Sequence, residues 1–277
     1  MPLPRLGASS PGARPTAPPC PRRGGGALCA PLNRVWLLDA GPRLARAWAG
    51  CTCGTRFGIG AAADAWRAHS DAADRPDRSA WLDAEALRAV VEGVPDAGRR
   101  VPRAAPGVVP VGEPVIHAAT AWVDPADPAV AELAQHMLAV MDAAPGIGLA
   151  ANQVGAGLRV IALNFPKLIP QVWVNPVAVS TAGEWTFAEG CLSLEVEGST
   201  ADVVRPKAIT VVADLPGGGH VVVEADEMLA RVIQHELDHL EGIEYVQRLE
   251  GAVRDEVYDR LEADGVDTDL LPPRPLR

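Results

Sequence analysis

The sequence predicts an α+β fold, in which short strands surround one central helix and a second helix precedes them. Apolar residues recur at helical spacing in two segments, residues 124–144 and 226–241. Short runs rich in valine, isoleucine and alanine lie around the second segment, and glycine and proline bound them. A central helix among short strands is typical of the α+β class.

The first predicted helix occupies residues 124–144. Asp127 can cap it, and Pro128 suits its first turn. Pro145 and Gly146 then end it. Its apolar stripe consists of Val130, Leu133, Ala134, Met137, Leu138 and Met141.

A glycine-rich segment, residues 146–153, follows this helix. Gly146 and Gly148 allow a tight turn and a close approach of the backbone to a ligand. A nucleotide-binding loop is the weaker interpretation, because the third glycine and the strand–helix setting are absent. Strands are predicted at 158–164, 171–180, 185–187, 208–215 and 220–224, and the last two form a hairpin across 216–219.

The central helix carries the motif H-E-x-x-H, which consists of His235, Glu236 and His239. Residues four apart lie on the same face of a helix, so the two histidines can offer their imidazoles to one metal ion. Glu236 stands beside the first histidine, where a carboxylate can take a proton from metal-bound water. Gly242 follows as the C-terminal cap.

Two histidines require at least one further protein ligand. Tyr245 occupies the place where one family of zinc proteases has a third histidine, and Glu256 or Glu262 lies at an unpersuasive spacing. Cys191, in the string E-G-C-L-S, is the better candidate. A thiolate and two imidazoles suit tetrahedral Zn²⁺ or Fe²⁺, with the fourth position left to water.

Three strings follow one another in the chain: G-I-G-L-A-A-x-Q at 146–153, E-G-C-L-S at 189–193 and Q-H-E-x-D-H at 234–239. Together they resemble the three motifs of the peptide deformylase family, and the resemblance covers about half of the chain, residues 111–249. It implies antiparallel β-sheets packed around a central metal-binding helix, with a second helix before the glycine-rich motif.

The resemblance also implies an activity and the residues that perform it. The enzyme would hydrolyse the formyl group from the N-terminal formylmethionine of newly made polypeptides and release formate. One divalent metal ion would be held by Cys191, His235 and His239. Fe²⁺ is the metal that the resemblance suggests, and Zn²⁺, Ni²⁺ and Co²⁺ are alternatives.

Other residues are expected to act around this ion. Glu236 would move the proton, and Glu189 would support the metal site from behind. The side-chain amide of Gln153 and the backbone N–H of Leu192 would meet the negative charge that develops on the formyl oxygen. The apolar pocket for methionine would consist of Ile147, Gly148, Phe187, Met228 and Val232, which would serve equally well as ordinary core.

The link after Cys191 departs from the family pattern, which usually continues with Pro-Gly and a short link to an Arg-Pro pair. Here the acidic stretch 195–202 comes before Arg205 and Pro206. We expect it near the substrate's path, so the preference beyond methionine stays open. Two other functions also stay open: a general zinc metallopeptidase of the H-E-x-x-H type, and a non-catalytic, metal-stabilised peptide-binding domain.

The charge is unevenly distributed. Residues 1–110 contain 15 Lys and Arg against 9 Asp and Glu, whereas the remainder contains 10 against 26. The acidic remainder argues against direct sequence-specific binding of nucleic acid. Five cysteines form no regular framework, which favours a reducing, cytoplasmic location. No apolar run reaches the roughly 18 residues of a membrane span.

The chain is expected to have four parts. Residues 1–33 would be a disordered, dispensable tail rich in Pro, Gly and Arg, with a start further along the chain left open. Residues 34–110 would be an extension of unknown function with short helices, in which Cys51, Cys53 and the more distant His69 lack the fourth ligand of a zinc site. Residues 111–250 would form the catalytic domain, with a first strand at 112–117, and 251–277 a short helix with a frayed end.

The expected partners are N-formylmethionyl nascent polypeptides and the ribosome near its exit tunnel. We expect the protein to act as a monomer and to bind no membrane.

Overall fold

The structure is a computed structural model that describes residues 34–38, 44–49, 76–144, 146–164 and 171–276, with the backbone alone in the first two ranges. The strands are Arg34–Leu38 (β1), Leu44–Ala49 (β2), Gly148–Ala150 (β3), Val160–Leu163 (β4), Gln171–Ala182 (β5), Trp185–Glu189 (β6), Ala201–Arg205 (β7), Ala208–Asp214 (β8) and His220–Asp226 (β9). The α-helices are Ala84–Glu92 (α1), Pro128–Ala143 (α2), Glu227–Leu240 (α3) and Gly251–Ala263 (α4).

The described strands form two antiparallel sheets. The larger has seven strands in the order β2-β1-β9-β8-β5-β4-β3, and the smaller pairs β6 with β7. Every strand pair in both sheets is antiparallel. The tight connection after β8 gives the predicted hairpin, with Asp214 opposite His220.

Helix α2 is the first helix that the sequence predicts. The Asp127 side chain accepts a hydrogen bond from the Ala129 N–H at 2.8 Å, and Pro128 is the first helical residue. The helix does not begin at Asp124, because that side chain accepts from the Ala126 N–H in a turn of its own. The predicted stripe faces the core: Val130, Leu133, Ala134, Met137 and Met141 are buried, and Leu138 packs against them.

Helix α3 lies against the large sheet, where it contacts β3, β4, β8 and β9. Leu229, Ile233 and Leu240 are buried there among the apolar side chains of the sheet. Asp226 accepts a hydrogen bond from the Glu227 N–H at the start of the helix. The apolar face therefore fixes the rotation of α3 about its axis, and with it the direction of the remaining side chains.

Gly242 follows α3 in a place that admits no side chain. Its φ is +68°, and a Cβ atom would lie 2.4 Å from the His117 carbonyl oxygen. We expect Gly242→Ala to lower the free energy of unfolding by about 2–4 kcal/mol, because left-handed backbone strain adds to a backbone clash. Urea denaturation of the metal-loaded protein would measure the loss.

Gly217→Ala is the matched control. Gly217 has a φ of +81°, but its Cβ would meet nothing within 4 Å. In this variant the free energy of unfolding should fall only by the cost of left-handed backbone strain, about 1–2 kcal/mol. Equal losses in the two variants would contradict the clash at His117.

The expected first strand at 112–117 is wrong. Pro114–His117 forms a 3₁₀ turn instead, with Ile116 buried beneath it. Proline has no N–H to give to a strand ladder, and its fixed φ suits the first position of a helical turn. Pro114 therefore favours a 3₁₀ turn over a strand in this segment.

Strand β7 lies inside a region where the sequence indicates only a link. It pairs with β6, and Ala201, Val203 and Arg205 are buried while Asp202 and Val204 are exposed. This alternation is the period of a strand, but only five residues show it, next to an acidic stretch. The run is too short to be recognised alone.

The C-terminal segment is packed against the fold, so the expectation of a frayed end is wrong as far as Arg274. Leu271 is fully buried. The Arg274 N–H donates to the Gln247 carbonyl at 2.6 Å, and the Gln247 side chain donates to the Pro272 carbonyl at 2.8 Å. Prolines lose only their N–H, and their carbonyl oxygens still accept hydrogen bonds.

The N-terminal extension contains two strands as well as the expected short helix. Strand β1 pairs with both β2 and β9, with Leu38 opposite His220 in the second pair. Helix α1 packs on α2 through the buried Leu87. The expected tail at 1–33 and the pair Cys51 and Cys53 lie outside the described residues.

Among the described helices, none combines the length and the apolar character that a membrane crossing requires.

Candidate active site

Three side chains with metal-ligating atoms meet between α3 and the segment after β6. Cys191 follows the end of β6 at Glu189, and His235 and His239 are one turn apart on α3. The Cys191 Sγ lies 3.4 Å from His239 Nε2, and the two Nε2 atoms are 3.2 Å apart. All three ligand atoms lie within 4.8 Å of one another. The fold thus brings together the residues that two distant motifs supply.

This donor set fits a divalent metal ion. The two Nε2 atoms face each other, as they would if each Nδ1 carries the ring proton. Burial raises the pKa of the Cys191 thiol well above its ordinary value, and the Glu244 carboxylate adds to the effect. Burial also lowers the pKa of His239. A cation between these atoms supplies the charge that favours a thiolate and neutral imidazoles.

Glu189 lies behind His235. Its Oε2 is 3.0 Å from His235 Nδ1, and Arg205 donates to both of its oxygens at 2.6 and 2.9 Å. Burial tends to raise the pKa of Glu189, but the hydrogen bonds from His235 and Arg205 hold it well below its usual range. The carboxylate can therefore keep the proton on Nδ1, which leaves Nε2 free of a proton and 3.2 Å from His239 Nε2.

The pKa of His235 depends on Glu189 and on its neighbour in sequence, Glu236. Burial tends to lower its pKa, but the hydrogen bond to Glu189 and the charge of Glu236 outweigh burial and raise the pKa to about 8.

The charged network continues through Asp238 on α3. Arg205 donates to Asp238 at 2.7 Å, and Arg248 donates to both oxygens of the same carboxylate. Arg248 also donates to the Arg274 carbonyl at 2.6 Å. The packed C-terminal segment is thereby joined to the helix that carries both histidines.

Glu236 presents a buried carboxyl group beside the ligands. The residue is 3% exposed, and a Cβ atom on Gly148 would lie only 2.2 Å from its Oε1. Among the described atoms, its Oε2 has no hydrogen-bond partner. Burial raises the pKa of Glu236 to about 7, against the opposing charge of His235. An oxygen that can take a proton is thus held next to the ligands.

Gln153 directs its amide at the same point. Its Oε1 accepts a hydrogen bond from the Ala150 N–H at 2.8 Å, which fixes the orientation of the amide. The Nε2 atom therefore faces Cys191 Sγ and Ser193 Oγ, at 3.3 Å each. The glycine-rich motif thus delivers a hydrogen-bond donor to the cysteine of the second motif.

A cleft of about 320 Å³ opens over these groups. Cys191, His235, Glu236, Gln153 and Leu192 all line it. Of the residues expected in the methionine pocket, four also line it: Ile147, Gly148, Met228 and Val232.

For Phe187, the fifth residue expected in the methionine pocket, the role in the pocket stays a prediction. Phe187 does not line the cleft and is 42% exposed. It is two residues from Trp185 on β6, so both side chains lie on one face of the strand. Their ring centroids are 4.9 Å apart, and the guanidinium of Arg231 on α3 lies 5.0 Å from the Trp185 ring centroid.

The acidic stretch 195–202 does not line this cleft either. The Glu195 N–H donates to the Arg103 carbonyl at 2.8 Å, and the Ser199 carbonyl accepts from the Tyr245 hydroxyl at 2.8 Å. These contacts tie the stretch to other parts of the fold, and its expected place near the substrate's path stays a prediction.

Two charged residues at the site were not expected from the sequence. Arg231 lines the cleft and donates to Glu189 and to the Val203 carbonyl. Glu244 is fully buried, and its Oε1 lies 3.6 Å from both Cys191 Sγ and His239 Nδ1. Arg231 stands four residues before His235, and this helical step could have indicated it. Glu244 lies beyond the helix, where no periodicity marks it.

Comparisons with known proteins agree with this geometry. Residues 106–255 match the sequence profile of the family described as polypeptide deformylase. A peptide deformylase of Chlorobaculum parvum is 40% identical over 158 residues, which cover 54% of this chain and 83% of that protein. One of Agathobacter rectalis is 38% identical over 148 residues, covering 53% of this chain and 92% of that protein.

Solved structures share the fold. The crystal structure of a peptide deformylase from Synechococcus elongatus in complex with actinonin has a TM-score of 0.55 and 32% identity, and the match covers 64% of this chain and 100% of that one. That of the peptide deformylase from Thermus thermophilus has a TM-score of 0.53 and 32% identity, over 57% and 93% of the two chains. The predicted α+β fold and the resemblance carried by three motifs are confirmed: the chain belongs to the polypeptide deformylase family.

Proposed function

We propose that this protein hydrolyses the N-formyl group from the formylmethionine at the start of newly made polypeptides, releasing formate and a free amino terminus. The observation that carries the proposal is the convergence of Cys191, His235 and His239 on one point. Glu236 and Gln153 flank this point, and it opens to a cleft within the part of the chain that matches the family.

We propose Cys191, His235 and His239 as the ligands of one divalent metal ion. When bound, such an ion lowers the pKa of a coordinated water and polarises the carbonyl group of the substrate. The sulfur and two nitrogens admit Fe²⁺, Zn²⁺, Ni²⁺ or Co²⁺, and we propose Fe²⁺ as the native metal. Glu189 acts from behind, by holding His235 through its Nδ1 at 3.0 Å.

Glu236 is the proposed general base and acid. Its buried carboxylate has one oxygen without a partner among the described residues, so it is ready to take the proton of the attacking water. The same group then gives the proton to the amine that leaves. Because Glu236 packs against Gly148, its carboxylate stays close to the ligands in both steps.

Gln153 and Leu192 are the proposed stabilisers of the developing negative charge. The Ala150 N–H holds the Gln153 carbonyl oxygen, so the NH₂ group faces the ligands before the substrate arrives. Preorganised donors of this kind commonly contribute on the order of 3 kcal/mol to a hydrolytic transition state. The Leu192 backbone N–H would be the second donor, at the residue that follows Cys191.

The methionine side chain would occupy the apolar part of the cleft, against Ile147, Gly148, Met228 and Val232. These residues offer apolar contacts to an unbranched side chain, which is the basis of the proposed preference.

The substrate is a nascent chain, so we also propose that the protein works in the cytoplasm, as a monomer, near the exit of the ribosome. Sedimentation of the purified protein, alone and with ribosomes, would test the last two statements.

Formate release tests the proposed function. Anaerobically purified protein, with its metal content measured, would be given a formyl-Met peptide, its acetyl-Met counterpart and an unmodified peptide. We expect one formate and one free amino terminus per formyl-Met peptide and no cleavage within any peptide. Activity should disappear with a chelator and return with added Fe²⁺.

Internal cleavage of the peptides would identify a general metallopeptidase instead. Tight binding of the formylated peptide without formate would identify a binding domain. Either result would overturn the proposal.

A further inference from the structure

Glu244 is a buried carboxyl group that the proposed mechanism does not use. It follows the turn after α3 and has no exposed surface. Its backbone N–H is held by the Gln247 side chain at 2.8 Å. Its Oε1 lies 3.6 Å from His239 Nδ1 and 3.6 Å from Cys191 Sγ, so the carboxyl group touches two of the three proposed ligands from behind.

The immediate surroundings of this group are incompletely paired. Among the described atoms, Glu244 Oε2 and His239 Nδ1 are both buried without a hydrogen-bond partner. An unpaired buried polar atom is unfavourable for folding, so a native structure retains such atoms for a reason. Here the two atoms belong to groups of complementary chemistry, an acceptor and a donor, that lie side by side.

His235 shows what such a pairing achieves. Its Nδ1 faces Glu189 at 3.0 Å, and its Nε2 is left to face Cys191 and His239. His239 repeats the arrangement with Glu244 behind its Nδ1. Carboxylates in this position fix the tautomer and the orientation of a metal-binding imidazole.

Glu189 and Glu244 differ in the positively charged groups that neutralise their carboxylates. Glu189 forms ion pairs with Arg205 and Arg231. In the described part of the chain, no arginine or lysine pairs with Glu244, and the basic group beside it is the His239 ring, whose pKa is lowered by burial. A buried acidic group without a cationic partner is unfavourable for folding. The cation that could compensate it is the metal ion itself.

We infer that Glu244 is a positioning residue for His239, which slows release of the metal ion and lowers the stability of the metal-free protein. The inference rests on the metal ligands given in the proposed function. It predicts that removal of the Glu244 carboxylate speeds metal release but stabilises the metal-free protein. Removal of a purely structural residue would not stabilise the metal-free protein.

Glu244→Met and Glu244→Gln test it in the full chain. Met fills similar space without a polar group, and Gln keeps an acceptor oxygen without the charge. Each variant would be loaded with Co²⁺ or Zn²⁺, and transfer of the metal to a chromophoric chelator would be timed. Urea unfolding of the metal-free protein and the visible spectrum of the Co²⁺ form would be recorded beside it.

For Glu244→Met we expect release about 10–100-fold faster, since loss of an outer carboxylate commonly weakens metal binding by that factor. The metal-free protein should unfold at a higher urea concentration than the wild type, and the Co²⁺ absorption should shift. Glu244→Gln should release the metal at an intermediate rate.

Asp214→Asn is the matched control. Asp214 is a buried carboxylate that faces His220 Nδ1 at 2.8 Å, outside the cleft and away from the ligands. The Asp214→Asn variant should release the metal ion at the wild-type rate.

Wild-type release rates in both Glu244 variants would overturn the inference. So would a metal-free Glu244→Met protein that unfolds at a lower urea concentration than the wild type. If Glu244→Met does not fold, the release rate and spectrum of Glu244→Gln decide alone. Release is timed without substrate, so absent formate production would count against the proposed function and leave this test intact.

Discussion

Glu236→Ala is expected to lower kcat/KM for formyl-methionyl peptides by about 10³–10⁴-fold, with the metal content unchanged. Loss of a general base commonly costs up to about 10⁴-fold, and 10³-fold corresponds to about 4 kcal/mol of transition-state stabilisation. Glu236 is not among the ligand atoms that converge, so alanine should leave the metal in place. Formate release and metal analysis on the same preparation would measure both.

Glu241→Ala is the matched control for this prediction. Glu241 follows the same helix, but its side chain is 52% exposed and pairs with Arg159. An exposed ion pair contributes about 1 kcal/mol or less, so this variant should turn over at close to the wild-type rate. Robust turnover by Glu236→Ala would remove the proposed role of that carboxylate.

Gly148→Ala is expected to lower kcat by about 100-fold while the protein stays folded. The added Cβ would lie 2.2 Å from Glu236 Oε1 and 2.7 Å from Val232 Cγ1. The carboxylate must then move by roughly 1 Å, and a misplacement of that size can cost about 100-fold. The cost in stability should be about 1–3 kcal/mol, because the buried, β-branched side chain of Val232 has little freedom to shift. Steady-state kinetics and urea denaturation would separate the two effects.

Gly157→Ala controls for the substitution itself. Its Cβ would meet Val115 at 3.6 Å, an ordinary contact distance, so activity and stability should change little. Wild-type kcat in Gly148→Ala, with full metal content, would show that the position of the carboxylate is not critical.

The sequence predicts those parts of the fold whose signals are local. Helix α2 has an aspartate cap, a proline in its first turn and a long apolar stripe, and α3 has a clear helical period. The hairpin between β8 and β9 has its glycines. By contrast, β7 has only five residues of alternation, and the 3₁₀ turn at Pro114–His117 is decided by one proline.

Long-range contacts decide the elements that were not predicted. Strand β1 belongs to the large sheet because β9 offers it an edge, and β2 joins the sheet through β1. The C-terminal segment is held through the Pro272 carbonyl, the Arg274 N–H and the buried Leu271. None of these partners is close in sequence, so no local pattern indicates them.

The candidate site shows the same division. The H-E-x-x-H motif and its companion strings indicate Cys191, His235, Glu236 and Gln153, which the fold brings together. Glu244 has no motif and no helical period, and only its burial between two ligands gives it importance. The strand period indicates that Phe187 and Trp185 share a face of β6, but it does not indicate that their rings are in contact.

The pairing of β1 with β9 has a consequence for the behaviour of the protein in concentrated solution. Without β1, the valine-rich row 221–223 would border the sheet with open N–H and C=O groups. An apolar border of this kind is a template for pairing with another molecule and for aggregation. Strand β1 covers this border, and β2 becomes the edge of the sheet in its place. We therefore expect a chain shortened to begin after β1 and β2 to aggregate more readily, because the valine-rich β9 would then be its exposed edge.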